Sequence, residues 1–164
     1  RWRTLLAATH RTRLTFAGVL GRTYQFRVAA LTAAGTAGSW GTAITVVPSA
    51  ARVPGGHYSR GWAMRARRGA WRQHAIQTTT RGAALTLRYR GGALALIGET
   101  TGRGGVMRVT LDGVSRLVSL HSRRLHRRRV IFSVPLRAGA HRLRIVDVHG
   151  LVALEGVAIA ARSR

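Results

Sequence analysis

Met107-Arg108-Val109-Thr110-Leu111-Asp112-Gly113-Val114 decides the fold. Met107, Val109 and Leu111 alternate with Arg108 and Thr110, the period of two that places apolar side chains on one face of a strand. Asp112-Gly113 then supplies a residue pair that tolerates positive φ at both central positions of a type I′ turn. A hairpin is predicted, with its return strand over residues 114–121. The same period spreads outward. Leu85, Leu87 and Tyr89 alternate with Thr86 and Arg88, and Gly91-Gly92 reads as a tight turn. Residues 93–98 form a nearly continuous apolar run that fits a central strand. Val130, Phe132 and Val134 mark a further strand, Leu143 and Ile145 the next, and Leu154, Val157 and Ile159 the last. No long stretch repeats at the helical period of 3.6. The second part of the chain is therefore predicted as eight or nine short strands, an all-β sandwich or barrel.

Composition narrows the function. At 164 residues and 46% hydrophobic content, the chain can hold one or two packed domains. No apolar run approaches the roughly 18–20 residues of a membrane-spanning helix. There is no cysteine, which excludes disulfides and thiolate metal sites. The formal net charge is +24, from 28 basic residues against four acidic ones. Every basic residue is Arg; Lys and Asn are both absent. Their joint loss matches a GC-rich coding sequence, which explains the charge without function. The functional alternative is an anionic partner: nucleic acid, a phosphate-rich wall polymer or an acidic polysaccharide.

Residues 2–48 carry a second pattern. Strands are expected at 2–7, 14–17, 24–32 and 43–47. In the third, Tyr24, Phe26, Val28 and Ala30 share a face opposite Gln25 and Arg27. Gly21-Arg-Thr-Tyr-Gln-Phe-Arg-Val28, followed by a glycine-bearing turn and Ser39-Trp40, resembles the C-terminal half of a fibronectin type III domain. Tyr24 stands at the tyrosine-corner position, and Arg27 is placed to stack on Trp40. The first three strands of that family have no counterpart, so the resemblance implies a partial domain with an apolar face near Phe26, Val28 and Ile44. The chain begins with Arg1 rather than Met and is expected to be a C-terminal piece of a longer multidomain protein.

Pro48 to Gly56 has linker composition. Beyond it, Gly61-Trp62, Arg81-Gly82-Ala83, Val109-Thr-Leu-Asp-Gly113, Gly139-Ala-His-Arg-Leu143-Arg-Ile145 and Leu154-Glu-Gly-Val157 follow in an order similar to that of bacterial galactose-binding-like, jelly-roll modules. Glu155 departs from the Asp more usual there. The expected organisation is a partial fibronectin type III domain (1–48), a linker (49–60) and a jelly-roll β-sandwich (61–164). The resemblance implies a module appended to secreted or wall-associated enzymes.

Candidate chemistry is sparse. Of the four carboxylates, Asp112 is explained by its turn, Asp147 is expected to be ion-paired among Arg and His, and Glu155 to be structural. Glu99 remains, and a glycosidase needs two flanking carboxylates. No catalytic residue, cofactor or metal is assigned. His121 and His126 lie among Arg123, Arg124, Arg127, Arg128 and Arg129, a local charge that opposes metal binding. The tract is expected to be a solvated hairpin loop, with polyanion binding as the alternative. Gly98 to Gly105 is glycine-rich, but a strand rather than a helix follows it, so it reads as a loop and not a phosphate cradle. Trp71, in the polar stretch Arg67-Arg-Gly-Ala-Trp-Arg72, is the candidate sugar platform, with Tyr58, Arg72 and His74 as polar partners. The alternative has Trp71 capping the barrel end.

Three functions stay open. The first is a non-catalytic accessory or adhesion region of an extracellular or cell-surface bacterial protein, binding carbohydrate and joined to an upstream catalytic domain of the same polypeptide. The second is charge-driven binding to nucleic acid or an anionic wall polymer. The third is a spacer without ligand.

Overall fold

The computed structural model describes residues 2–161. The Asp112-Gly113 hairpin is as predicted. Asp112 and Gly113 have φ of 50° and 88°, and Leu111 pairs directly with Val114 across them.

The described residues form ten strands: β1 (Thr23–Val28), β2 (Gly41–Val46), β3 (His57–Tyr58), β4 (Ala63–Ala66), β5 (His74–Thr78), β6 (Ala84–Thr100), β7 (Val106–Leu111), β8 (Val114–Ser119), β9 (His126–His149) and β10 (Val152–Ala160). Among the described residues the helical element is one short 3-10 turn, Trp71–Gln73, interrupted by non-helical φ/ψ at Arg72. No helix of the described residues is long and apolar enough to cross a membrane.

All pairings between strands are antiparallel. Strands β6 and β9, 17 and 24 residues long, pair along nearly their whole length and belong to both layers of the sandwich. The first half of β6 lies between β3 and the second half of β9, which continues to β7 and β8. Its second half lies between β10 and the first half of β9, and β10 continues to β5 and β4. We call these the first and second layers. Leu85, Leu143, Ile145, Met107 and Val109 from the first meet Ile76, Leu94, Leu96, Val152 and Leu154 from the second in one buried cluster. Fully burying each such side chain contributes roughly 1.5–3 kcal/mol.

The sequence pattern divided β6 and β9 too finely. Gly91-Gly92, expected as a turn, lies inside β6. There Gly91 faces Gly139 and Ala93 faces Pro135, so residues 136–138 of β9 stand opposite Gly92 alone. This bulge bends both strands from one layer into the other without ending them. A glycine pair marks a bend as readily as a reversal.

Residues 2–48 depart from expectation in two places. The predicted strands at 2–7 and 14–17 are irregular, because neither finds a pairing partner among the described residues. What forms is the β1–β2 hairpin, with Thr23 opposite Val46 and Val28 opposite Gly41. The third predicted strand stops at Val28; beyond it Leu31 makes an isolated bridge to Ala37. Phe16 packs edge-on against Tyr24 and Phe26, at 4.9 and 5.3 Å between ring centroids. Tyr24 Oη accepts a hydrogen bond from Val19 N at 2.8 Å. Arg27 stacks on Trp40 as expected, at 4.6 Å, and also on Trp2, at 4.3 Å. Val28 stays 71% exposed and Ile44 51%.

Residues 49–60 are structured rather than free. Ala51 and Val53 join the buried core, and His57–Tyr58 pairs with Thr86 and Leu85. Ser49 donates through both its N and its Oγ to Val157 O, at 2.8 and 2.9 Å, tying this crossing to β10. Apolar residues at 51 and 53 outweigh the flanking prolines and glycines.

Candidate functional site

Glu155 organises the groove that Trp71 lines. Strand β10 is buried from Val152 to Ala158, and Glu155 stands in its middle at 0% exposure. A carboxylate so placed must find hydrogen-bond donors. It finds two backbone amides: Trp71 N donates to Oε2 at 2.6 Å, and Arg128 N donates to both oxygens at 3.2 Å. One buried charge thus fixes the Trp71 turn and the Arg128 segment of β9 relative to each other. Both segments are locally strained. Arg72, Gln73 and Arg128 have φ of 53°, 62° and 54°, values that non-glycine residues rarely adopt. Gly156 allows the arrangement, since a Cβ there would lie 2.5 Å from Ser49 O and 3.3 Å from Trp71 Cδ1.

The groove beside them has a volume of about 650 Å³. Its floor is the outer face of the second layer, with Ala93, Ala95, Ala158 and Ala160. Ile44 and Val46 of β2 form the facing wall, Trp71 and Arg128 part of the rim. The side chains lining it include no carboxylate.

The predicted carbohydrate set does not gather here as a unit. Trp71 lines the groove. Arg72 and His74 are exposed beside it, where His74 Nδ1 lies 2.9 Å from Arg72 O. Tyr58 is engaged in the first layer: its Oη accepts from Val53 N at 2.9 Å, and its ring packs edge-on against Trp62. Burial raises the Tyr58 phenol above its ordinary value. Arg128 and the β2 wall were missed as groove residues. The signal for Arg128 was Glu155 itself, a lone carboxylate in an apolar strand that must draw a donor to it.

The Arg123–Arg129 tract splits. Arg123 and Arg124 lie in an exposed loop, whereas Arg127, Arg128 and Arg129 belong to β9, not to a loop. Arg127 turns toward buried Glu99, with Nε 3.6 Å from Oε2, and Arg67 approaches the same carboxylate at 3.7 Å. Arg127 is therefore a structural partner; Arg123, Arg124, Arg128 and Arg129 stay exposed.

Asp147 corrects another expectation. It is 1% exposed, and neither carboxylate oxygen has a hydrogen-bond partner among the described residues. It is not ion-paired, because alternation along β9 points it inward while Arg144 and Arg142 point out. Burial raises its pKa, and the positive potential of His149 opposes the rise.

Asp112 does more than form its turn. It accepts from Arg142 N at 2.8 Å and lies 2.6 Å from His141 Nδ1, while His141 Nε2 lies 2.9 Å from Arg137 O. A carboxylate and a carbonyl accept only, so both contacts are hydrogen bonds when the ring is the imidazolium. The amide of Arg142 and then His141 lower the Asp112 pKa; Asp112 and then Arg137 O raise that of His141. Neighbouring Tyr89 is pushed up to about 12, by burial and by the Asp112 charge.

No known family's sequence pattern matches the chain, and no curated protein matches it. Solved structures do match by shape. A family two carbohydrate esterase from Cellvibrio japonicus superposes with a TM-score of 0.50 at 13% identity, over 86% of this chain and 35% of that one. A two-domain esterase active on acetylated mannans gives 0.52 at 9%, over 72% and 37%. An exo-beta-1,3-galactanase from Phanerochaete chrysosporium gives 0.51 at 15%, over 76% and 30%. The chain thus spans about a third of the length of these proteins. At such identities the likeness is one of fold: an antiparallel jelly-roll β-sandwich of the kind found in carbohydrate-active proteins.

Proposed function

We propose that this chain is a non-catalytic accessory region of a secreted or cell-surface protein, and that it holds a polysaccharide in the groove beneath Trp71. The pinning of Trp71 and Arg128 by buried Glu155 carries the proposal. A sugar ring offers an apolar face of C–H groups to an aromatic ring and hydroxyls to polar neighbours. The groove supplies Trp71 for the first, and Arg128, Ser133 and Thr45 for the second. Small alanines on the floor leave room for a chain to lie along the sheet. The fold shared with carbohydrate-active proteins supports a sugar as the ligand class. Hydrolysis by paired carboxylates lacks its groups in this groove, which supports the non-catalytic part. The partial fibronectin type III reading of residues 2–48 fits a connector to an upstream domain, and the hydrogen bond from Val19 N to Tyr24 Oη is compatible with that reading.

Retention on insoluble neutral polysaccharides (cellulose, mannan and β-1,3-glucan) tests the proposal. The protein should be retained equally at low and high salt, and Trp71→Ala should weaken retention about tenfold, the loss of one stacked aromatic. Absence of retention on every neutral polymer, or a Trp71→Ala variant that binds like the parent, would remove the groove from consideration.

A further inference from the structure

The outer face of the first layer differs sharply from that of the second. Alternation along three adjacent strands turns Arg88 and Arg90 of β6, Arg142 and Arg144 of β9 and Arg108 of β7 outward, and all five are exposed. Arg88 stands directly opposite Arg142. Arg144 lies in a row between Thr86 and Thr110, and Thr110 Oγ1 bonds Ser115 Oγ at 2.7 Å. The result is a lattice of guanidiniums and hydroxyls, spaced roughly 5 Å across strands and roughly 7 Å along them. At one end Arg88, Arg90 and Arg142 line a groove of about 500 Å³ together with Tyr89, Asp112 and His141.

Composition accounts for the number of arginines but not for this placement. Like charges directly opposite on a sheet destabilise it, whereas opposite charges across strands stabilise it. Here none of the five arginines has a carboxylate partner among the described residues. Glu99, Asp147 and Glu155 are buried, and both Asp112 oxygens are engaged by His141 and the Arg142 amide. Among the described residues only Arg67 and Arg127 pair with a carboxylate. The second layer's outer face, from the same composition, presents Ala93, Ala95, Ala158 and Ala160. The first layer therefore holds an unneutralised cationic array that a polyanion would complete. Its chemistry favours one kind. Along the arginine lattice no aromatic ring stands outward for nucleobases to stack on; Tyr89, in the groove at its end, packs beside His141 at 5.5 Å. Guanidinium forks with flanking hydroxyls suit carboxylate or sulfate groups on a sugar chain.

We propose that the outer face of the first layer, built on Arg88, Arg90, Arg108, Arg142 and Arg144, binds an acidic polysaccharide. It is a second site, distinct from the Trp71 groove and independent of it.

Affinity electrophoresis in gels containing polygalacturonate, chondroitin sulfate or neutral β-glucan tests this, with a single-stranded DNA oligonucleotide as competitor. The parent should be retarded by one or both acidic polymers, and less so as salt rises. Arg88→Ser/Arg142→Ser should weaken that retardation about tenfold or more, the loss of two charge-assisted contacts. Arg123→Ser/Arg124→Ser, with the same change in net charge, should weaken it far less. Arg108→Ser/Arg144→Ser provides a second variant, in case the first lowers the melting temperature. Equal weakening by loop and face variants would show that only net charge matters and overturn the proposal. So would the absence of retardation by either acidic polymer, or DNA binding tighter than both. Trp71→Ala should leave acidic-polymer binding unchanged, so the two sites can fail separately.

Discussion

Replacing Glu155 by Gln removes one charge and almost no volume, which isolates what that charge holds. Two backbone donors converge on the carboxylate, Trp71 N at 2.6 Å and Arg128 N at 3.2 Å from both oxygens. The Gln carbonyl oxygen can accept from one of them; the other then faces an NH₂ group. A hydrogen bond to a charged group contributes about 1.5–3 kcal/mol, and a buried donor left without an acceptor costs about 1–3 kcal/mol. Against this stands the relief of a buried charge, which offsets part of the loss. The expected net destabilisation is about 2 kcal/mol, a fall of about 4–8 °C in Tm for a chain of this size. Thermal unfolding followed by circular dichroism reads it directly. Glu155→Asp, one methylene shorter, should fall between the two, since it reaches one donor well and the other poorly. Retention on neutral polysaccharide should drop with Tm in the same order, because Trp71 and Arg128 lose their common anchor. A Glu155→Gln protein that melts within about 1 °C of the parent and binds equally well would refute the pinning role.

Two further outcomes follow from the same region and from the core. Gly156→Ala should destabilise by about 1–3 kcal/mol, because its Cβ displaces Ser49, seen as a lower midpoint in urea. Asp147→Asn should stabilise at neutral pH. The Asp147 pKa is raised in the folded state, so the folded protein binds this proton more tightly than the unfolded chain and loses stability as pH climbs from the ordinary 3.8 through the raised value. The gain from Asn should vanish below about pH 4, where the parent carboxyl is itself neutral; a gain constant from pH 3 to 8 would contradict it.

How far the sequence could be read depended on whether local pairing or distant pairing decided each element. The Met107–Val114 hairpin was legible because turn and alternation lie within a few residues. The long strands β6 and β9 were not, since whether Gly91-Gly92 reverses or bends the chain depends on Gly139 and Pro135 opposite. Residues 2–7 and 14–17 had strand-like composition but no edge to join, and composition cannot supply a partner. Trp71 was found from its polar flanks. Its companion Arg128 was hidden because a carboxylate at 155 brings it there through backbone amides, which every residue carries. The outward arginines were visible as alternation, yet only the register sets Arg88 opposite Arg142.

The two strands that cross between layers have a consequence for how the sandwich opens. A sandwich of independent sheets can part along its interface, each sheet keeping its own hydrogen bonds. Here Ala84–Thr100 and His126–His149 supply central rungs to both sheets, so separating the layers must unbend or tear the shared ribbon near Gly91 and Gly139. Neither layer is a subunit of stability that can melt while the other persists. Amide protons at Leu85 and Leu96, in opposite halves of one strand, should therefore exchange through a single cooperative opening, and the two outer faces are held on one frame.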